Sequence, residues 1–336
     1  MDVERVEVIA PAQNAACLPL ANATAAIGAE LGSQTALPAP DPSPTLQASI
    51  QEERAFRTRA WMFIVALALV DIIWARFEGL TFAGCRSVLL TVGFLAVIGI
   101  YYDRSGRNAR LADVGNYAAL WVALSAAGAV FTYVVATMRM PLQDVRIAQL
   151  DQALGFHWEV WWRYIHTHRL VAKPLAIAYE TMLPQIIGSI LFFAHTERTE
   201  RNRELLSIAM VSLVLTTLIS GFFPATGPFM VGHQPLFARV LLQIRAGATN
   251  FALDHMQGIV TMPSYHTVTA ILLIYVHRPP ARSFPLLAVL NLLMLLSVPF
   301  AGNHYLSDLI AGSIMAAICI ALDRWMVSRQ AAFTLG

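Results

Sequence analysis

His304 and Asp308 stand four residues apart, the spacing that sets two side chains on one face of a helix. There the carboxylate can hold one imidazole nitrogen and leave the other free to act as nucleophile, general base or metal ligand. His266 follows Pro263 and Ser264, residues suited to a helix start, and so is expected at the head of a second helix. Two helix N-termini at one site, with unpaired amides and the positive ends of their dipoles, favour an anion and phosphate above all. Ser264 and the turn Thr226-Gly227-Pro228 are expected to add donors, and Arg239 and Arg245 positive charge. For Ser264 and Thr226, cap and turn chemistry uses the same geometry; for the two arginines the plainer role is a solvated face that binds lipid headgroups. Zinc at His304, Asp308 and His266 is the metal reading, but no HExxH-type spacing or second acidic cluster accompanies them, so no metal or other cofactor is expected.

The elements that must position these residues lie in lipid. The chain is 57% apolar and 13% charged, where a soluble domain carries about a quarter charged residues. A net charge of +2 without a basic face argues against nucleic acid as a partner. Eight apolar stretches, centred near Ala66, Phe94, Ser125, Ile187, Val214, Ile271, Leu293 and Ala316, are candidates for membrane spans. The segment from Leu150 to Arg169 is too polar to span, and Trp158, Trp161, Trp162 and Tyr164 predict an interfacial helix there. The fold expected is all-α, a polytopic helical bundle. Its parts are a disordered cytoplasmic tail (1–52), three accessory spans (53–138), a catalytic membrane domain (139–328) and a short C-terminal tail (329–336). Arginines collect in alternate loops, which predicts both termini in the cytoplasm and the three motif segments on the opposite, periplasmic or lumenal, face. Cys17, Cys85 and Cys319 show no metal-type spacing.

Three segments in order, FFPATGPF at 222–229, MPSYHT at 262–267 and NHYLSDLIAG at 303–312, give the chain a family likeness. It resembles the type 2 phosphatidic-acid phosphatase superfamily, in which one motif reads PSGH and another ends HxxxD; here they are PSYH at 263–266 and HYLSD at 304–308. Phe223-Pro224 and the small pair Ala311-Gly312 after His304-Tyr305 are similar to the inositol phosphorylceramide synthase branch. The likeness runs over roughly residues 140 to 325. It implies a phosphohistidine mechanism in which His304 attacks phosphorus, Asp308 holds its ring and His266 protonates the leaving oxygen. It also implies a lipid phosphate or phospholipid substrate and an alcohol acceptor such as inositol. The chain departs from the superfamily in lacking a K-x6-R-P segment and in carrying Val298 six residues before the nucleophile, where an arginine is usual. Phosphate binding then falls to Arg245, Arg239 and Lys173, in that order. The rival reading is a transporter or a catalytically silent lipid-binding protein; Asp71 and Glu180 are carboxylates within spans, each expected to have a partner or lie near water, and Glu180 is the best support for a transporter.

Overall fold

The computed structural model describes residues 44–253 and 257–334, and side chains over 47–253 and 257–329. Its twelve helices make it 77% helical, with almost no sheet. In chain order they are α1 (Pro44–Glu78), α2 (Cys85–Ser105), α3 (Ala109–Ala136), α4 (Asp144–Ala153), α5 (Trp158–Thr167), α6 (Arg169–Glu180) and α7 (Met182–His195). Then follow α8 (Thr199–Phe222), α9 (Leu236–Arg245), α10 (Tyr265–Val276), α11 (Phe284–Ala301) and α12 (Leu306–Thr334). Two three-residue strands, β1 (Thr81–Ala83) and β2 (Asn250–Ala252), pair in parallel with Phe82 opposite Phe251.

The protein is a multi-pass membrane protein. Among the described residues six helices, α1, α2, α3, α8, α11 and α12, are long and apolar enough to cross a bilayer; α6 and α7 make a seventh if taken as one span bent by 52°. About eight spans were expected, and by length and composition six or seven of the described helices qualify. The stretch near Ile271 forms only the 12 residues of α10, about 18 Å of helix against a hydrocarbon core of about 30 Å. Of the expected tail, residues 1–43 lie outside those described, and 44–52 are helical.

Local chemistry sets the helix ends. Gly106, at φ 64°, closes α2 with its amide on the Tyr102 carbonyl, and the Asn108 side chain caps α3 by accepting from the Leu111 amide at 3.1 Å. Lipid tails give helices no hydrophobic reason to associate, so close packing of small residues matters. A Cβ on Gly115 would stand 2.5 Å from the Gly99 nitrogen, so the backbones of α2 and α3 touch there. The main core joins α3, α7, α8, α10 and α12 around Tyr117, Phe193, Leu205 and Leu272. At the end formed by the start of α8 and the close of α10, Arg278 grips Glu204 through two bonds of 2.7 and 2.9 Å.

The two carboxylates placed within spans, Asp71 and Glu180, differ. Asp71 is 3% exposed and neither oxygen has a hydrogen-bond partner among the described residues, whereas Glu180 is exposed at the end of α6. The predicted interfacial helix is two helices, α4 and α5, separated by a turn in which Gly155 takes φ 77°. Its aromatic residues divide: Trp161 and Tyr164 are exposed, while Trp158 is buried and its indole donates to the Pro299 carbonyl at 2.6 Å.

Candidate active site

The head of α12 carries the first half of the site. Pro299 sits in the last turn of α11, Gly302 ends that helix, and Asn303 turns the chain at φ 53°, a left-handed conformation that asparagine tolerates well. The His304 Nδ1 then donates to Asp308 Oδ2 at 3.2 Å, one helical turn on, and the same oxygen accepts the Tyr305 amide at 3.0 Å. Both residues are buried, and Asp308 Oδ1 has no partner among the described residues. With Nδ1 occupied, the His304 Nε2 is the free nitrogen. From α4, Asp151 accepts the Leu306 and Ser307 amides at 2.7 and 2.9 Å and the Ser307 hydroxyl at 2.5 Å. This corrects one expectation: the first amides of α12 are not open to an anion, because two carboxylates already satisfy them and the dipole end they sit on.

The second half comes from α10. The Ser264 hydroxyl accepts from the Thr267 amide at 3.4 Å and caps the helix, while the Ser264 amide donates to the Asp308 carbonyl at 3.1 Å. Gly312 lets the two helices meet, since a Cβ there would lie 2.6 Å from the Ser264 carbonyl oxygen. This crossing brings the His266 and His304 rings to 6.5 Å between centroids, tilted by 58°. The amides of Tyr265 and His266, in the first turn of α10, make no hydrogen bond among the described residues and are the open donors at this site. Tyr179, in the last turn of α6, stacks on His266 at 4.4 Å, and Phe237 of α9 lies nearly parallel to the His304 ring at 6.4 Å.

The loop after α8 closes the site. Asp144 accepts from the Thr226 amide at 3.0 and 3.1 Å, from its hydroxyl at 3.0 Å, and from the Tyr305 hydroxyl at 3.3 Å. Burial first, and then the Asp144 charge, push the Tyr305 hydroxyl's pKa well up, so it stays protonated and remains a donor. The Thr226 amide, expected to face an anion, is therefore committed to Asp144. Gly227, at φ 70°, permits close approach: a Cβ there would stand 2.3 Å from the Asn303 carbonyl oxygen.

The sequence reading thus finds its three central residues together, with Ser264, Thr226 and Gly227 on the segments that frame them. The basic candidates lie otherwise. Arg245 donates to the Met140 carbonyl at 2.8 Å, and Arg239 and Lys173 are exposed on α9 and α6. Among the described residues no group of three or more His, Cys, Asp or Glu side chains stands in metal-holding geometry. Asp144, Asp151 and Tyr179 were missed. A signal existed for the first two: they are seven residues apart, with Ile147 between them, and so share one face of a helix. For Tyr179 the sequence held none.

The described residues thus form an all-helical membrane bundle in which a buried histidine–aspartate pair lies beside a second histidine. Residues 145–322, more than half of the chain, match the PAP2 superfamily, and the chain belongs to that family. No curated protein and no solved structure matches it.

Proposed function

We propose that this protein hydrolyses or transfers a phosphoester of a lipid-linked substrate through a phosphohistidine on His304, without a metal, at a site on the non-cytoplasmic face. The observation that carries this reading is the His304 Nδ1–Asp308 bond of 3.2 Å, with the His266 ring 6.5 Å beyond. In this reading one phosphoryl group bridges the two rings. The His304 Nε2 attacks phosphorus, the bond to the leaving oxygen breaks, and His266 gives that oxygen its proton. Water or a second alcohol then attacks phosphorus, His266 takes the proton back, and the N–P bond breaks. Asp308 balances the charge that develops on the His304 ring. The open Tyr265 and His266 amides face the phosphoryl oxygens. Inositol is the acceptor we assign, on the likeness of Phe223-Pro224 and Ala311-Gly312 to the inositolphosphotransferase branch.

The test is turnover of labelled lipid phosphoesters by the purified protein, with and without inositol and with no divalent metal added. Acid-labile, base-stable phosphate should be trapped on the wild type and not on His304→Ala. Asp308→Asn should be folded and severely slowed, and the double variant should be little worse than His304→Ala, because residues acting as a unit are not additive. An active His304→Ala protein, or activity lost to chelators and restored by zinc, would overturn the mechanism.

A further inference from the structure

We infer that Tyr179 is a positioning residue that holds His266 as the proton donor through the face of its ring and not through its hydroxyl. This rests on the general-acid role proposed for His266. The two rings lie 4.4 Å apart between centroids and only 16° from parallel. The Tyr179 hydroxyl is 3.4 Å from His266 Nδ1. In parallel stacked rings, however, that oxygen stands above the imidazole plane, whereas the proton and lone pairs of the ring nitrogens point within it. The contact is therefore a stack. His266 makes no other side-chain hydrogen bond among the described residues, so the stack is what orients it.

The fold around Tyr179 is arranged for this contact. Helix α6 stops at Glu180 and α7 leaves at 52° to it, which places the last turn of α6 against the site. On the far side Gly302 makes room: a Cβ there would stand 2.8 Å from Tyr179 Cε2 and 2.8 Å from His304 Cδ2. A side chain at Gly302 would thus push the tyrosine ring and the nucleophile's ring apart, so Tyr179 sets the position of one histidine beside the other.

The experiment compares Tyr179→Phe, Tyr179→Leu and His266→Ala on two phosphoesters, one with a poor alkyl alcohol leaving group and one with nitrophenol. Tyr179→Phe keeps the stack and should hold kcat within about twofold of wild type on both. Tyr179→Leu should lower kcat roughly 10- to 100-fold on the alkyl ester with KM little changed, and much less on the nitrophenyl ester, because a misplaced acid matters only where a proton is needed. Tyr179→Met repeats that comparison if the leucine variant melts below the assay temperature. A phenylalanine variant as slow as the leucine one would overturn the inference in favour of the hydroxyl. Equal losses on the two esters would overturn it in favour of a binding or structural role. A flat response in His266→Ala would remove the acid role itself, and with it this inference. A steep response there beside a flat Tyr179→Leu would overturn this inference alone.

Discussion

Asp151 takes three donors from the head of α12 and is 2% exposed, so its removal strips a cap and leaves the half-buried Leu306 and Ser307 amides unpaired. Hydrogen bonds to a charged group are worth about 1.5–3 kcal/mol each, and a lost cap typically costs about 1 kcal/mol. Asp151→Ala should therefore lose about 2–3 kcal/mol of stability and most of its activity, with Ser307→Ala much milder. Melting in detergent beside turnover checks both, and an unchanged melting point in Asp151→Ala would mean that α12 is anchored elsewhere. His304, Asp308 and His266 were legible in the sequence because their relation is local: a four-residue spacing and a cap before a helix. Asp151 and Asp144 showed only a shared helix face, and not what they hold, because their partners lie 155 and 82 residues further along the chain and only the fold joins them. A second histidine belongs to stability alone. His277, in the turn after α10, is bracketed by the hydroxyls of Ser189 and Ser283 at 2.9 and 2.5 Å. Burial, and then Arg201, lower its pKa from 6.5 to about 4. A lowered value means that the folded protein prefers the neutral ring, so this contribution is complete above pH 6.5 and is lost as pH falls toward about 4. His277→Gln should flatten the melting temperature across that window; an equally steep decline in the variant would remove His277 as its cause.

Between elements, the distance that matters is the gap between α10 and α12, because each carries one of the two histidines of the proposed mechanism. Gly312 sets that gap, with a Cβ predicted 2.6 Å from the Ser264 carbonyl oxygen and 3.0 Å from the Thr267 Cβ. Backbone cannot yield as a flexible side chain can, so Gly312→Leu should drive the helices apart and lift His266 away from His304. A misplacement of about 1 Å can cost roughly 100-fold in rate. Gly188→Leu is the control, since nothing lies within 4 Å of a Cβ there. Loss of turnover confined to Gly312→Leu is the expected outcome, and equal activity in the two variants would show that the crossing tolerates expansion. The element list itself was only partly readable. Apolar runs mark where lipid-buried helix lies, and each of the eight stretches is helical. Hydropathy does not register a break, though: the bend after Glu180 and the early end of α10 at Val276 follow from turns and packing that no window of composition contains. The parallel pairing of β1 with β2 was hidden for a similar reason. Each strand has three residues, and it is the pairing, with Phe82, Phe251 and Tyr133 clustered at 5.1–6.2 Å, that ties the loop between the first two spans to the segment leading to Ser264.

For the whole molecule, the two ends of the bundle differ in chemistry, and that difference predicts the direction in which the site faces. At one end the close of α8 and the heads of α10 and α12 bring the histidines together, with carboxylates holding the backbone. At the other, arginines are gathered and paired: Arg278 and Arg201 on Glu204, Arg57 and Arg54 on Asp103, and Arg110 on Glu197. Basic residues beside span ends are retained on the cytoplasmic side during insertion. Pairing in the folded state does not remove that bias, which acts as the chain inserts. The histidine end is therefore expected outside. Val231, 99% exposed in the loop between α8 and α9, marks that end, and Thr196, exposed between α7 and α8, marks the other. With Cys17 and Cys85 replaced by serine, Val231→Cys in right-side-out vesicles should react with a membrane-impermeant maleimide. Thr196→Cys should react only after the vesicles are opened. The reverse pattern would place the site in the cytoplasm, and a lipid phosphoester would then have to be drawn from the inner leaflet. Reaction at both positions in sealed vesicles would mean mixed insertion, in which case the arginine distribution does not set the topology.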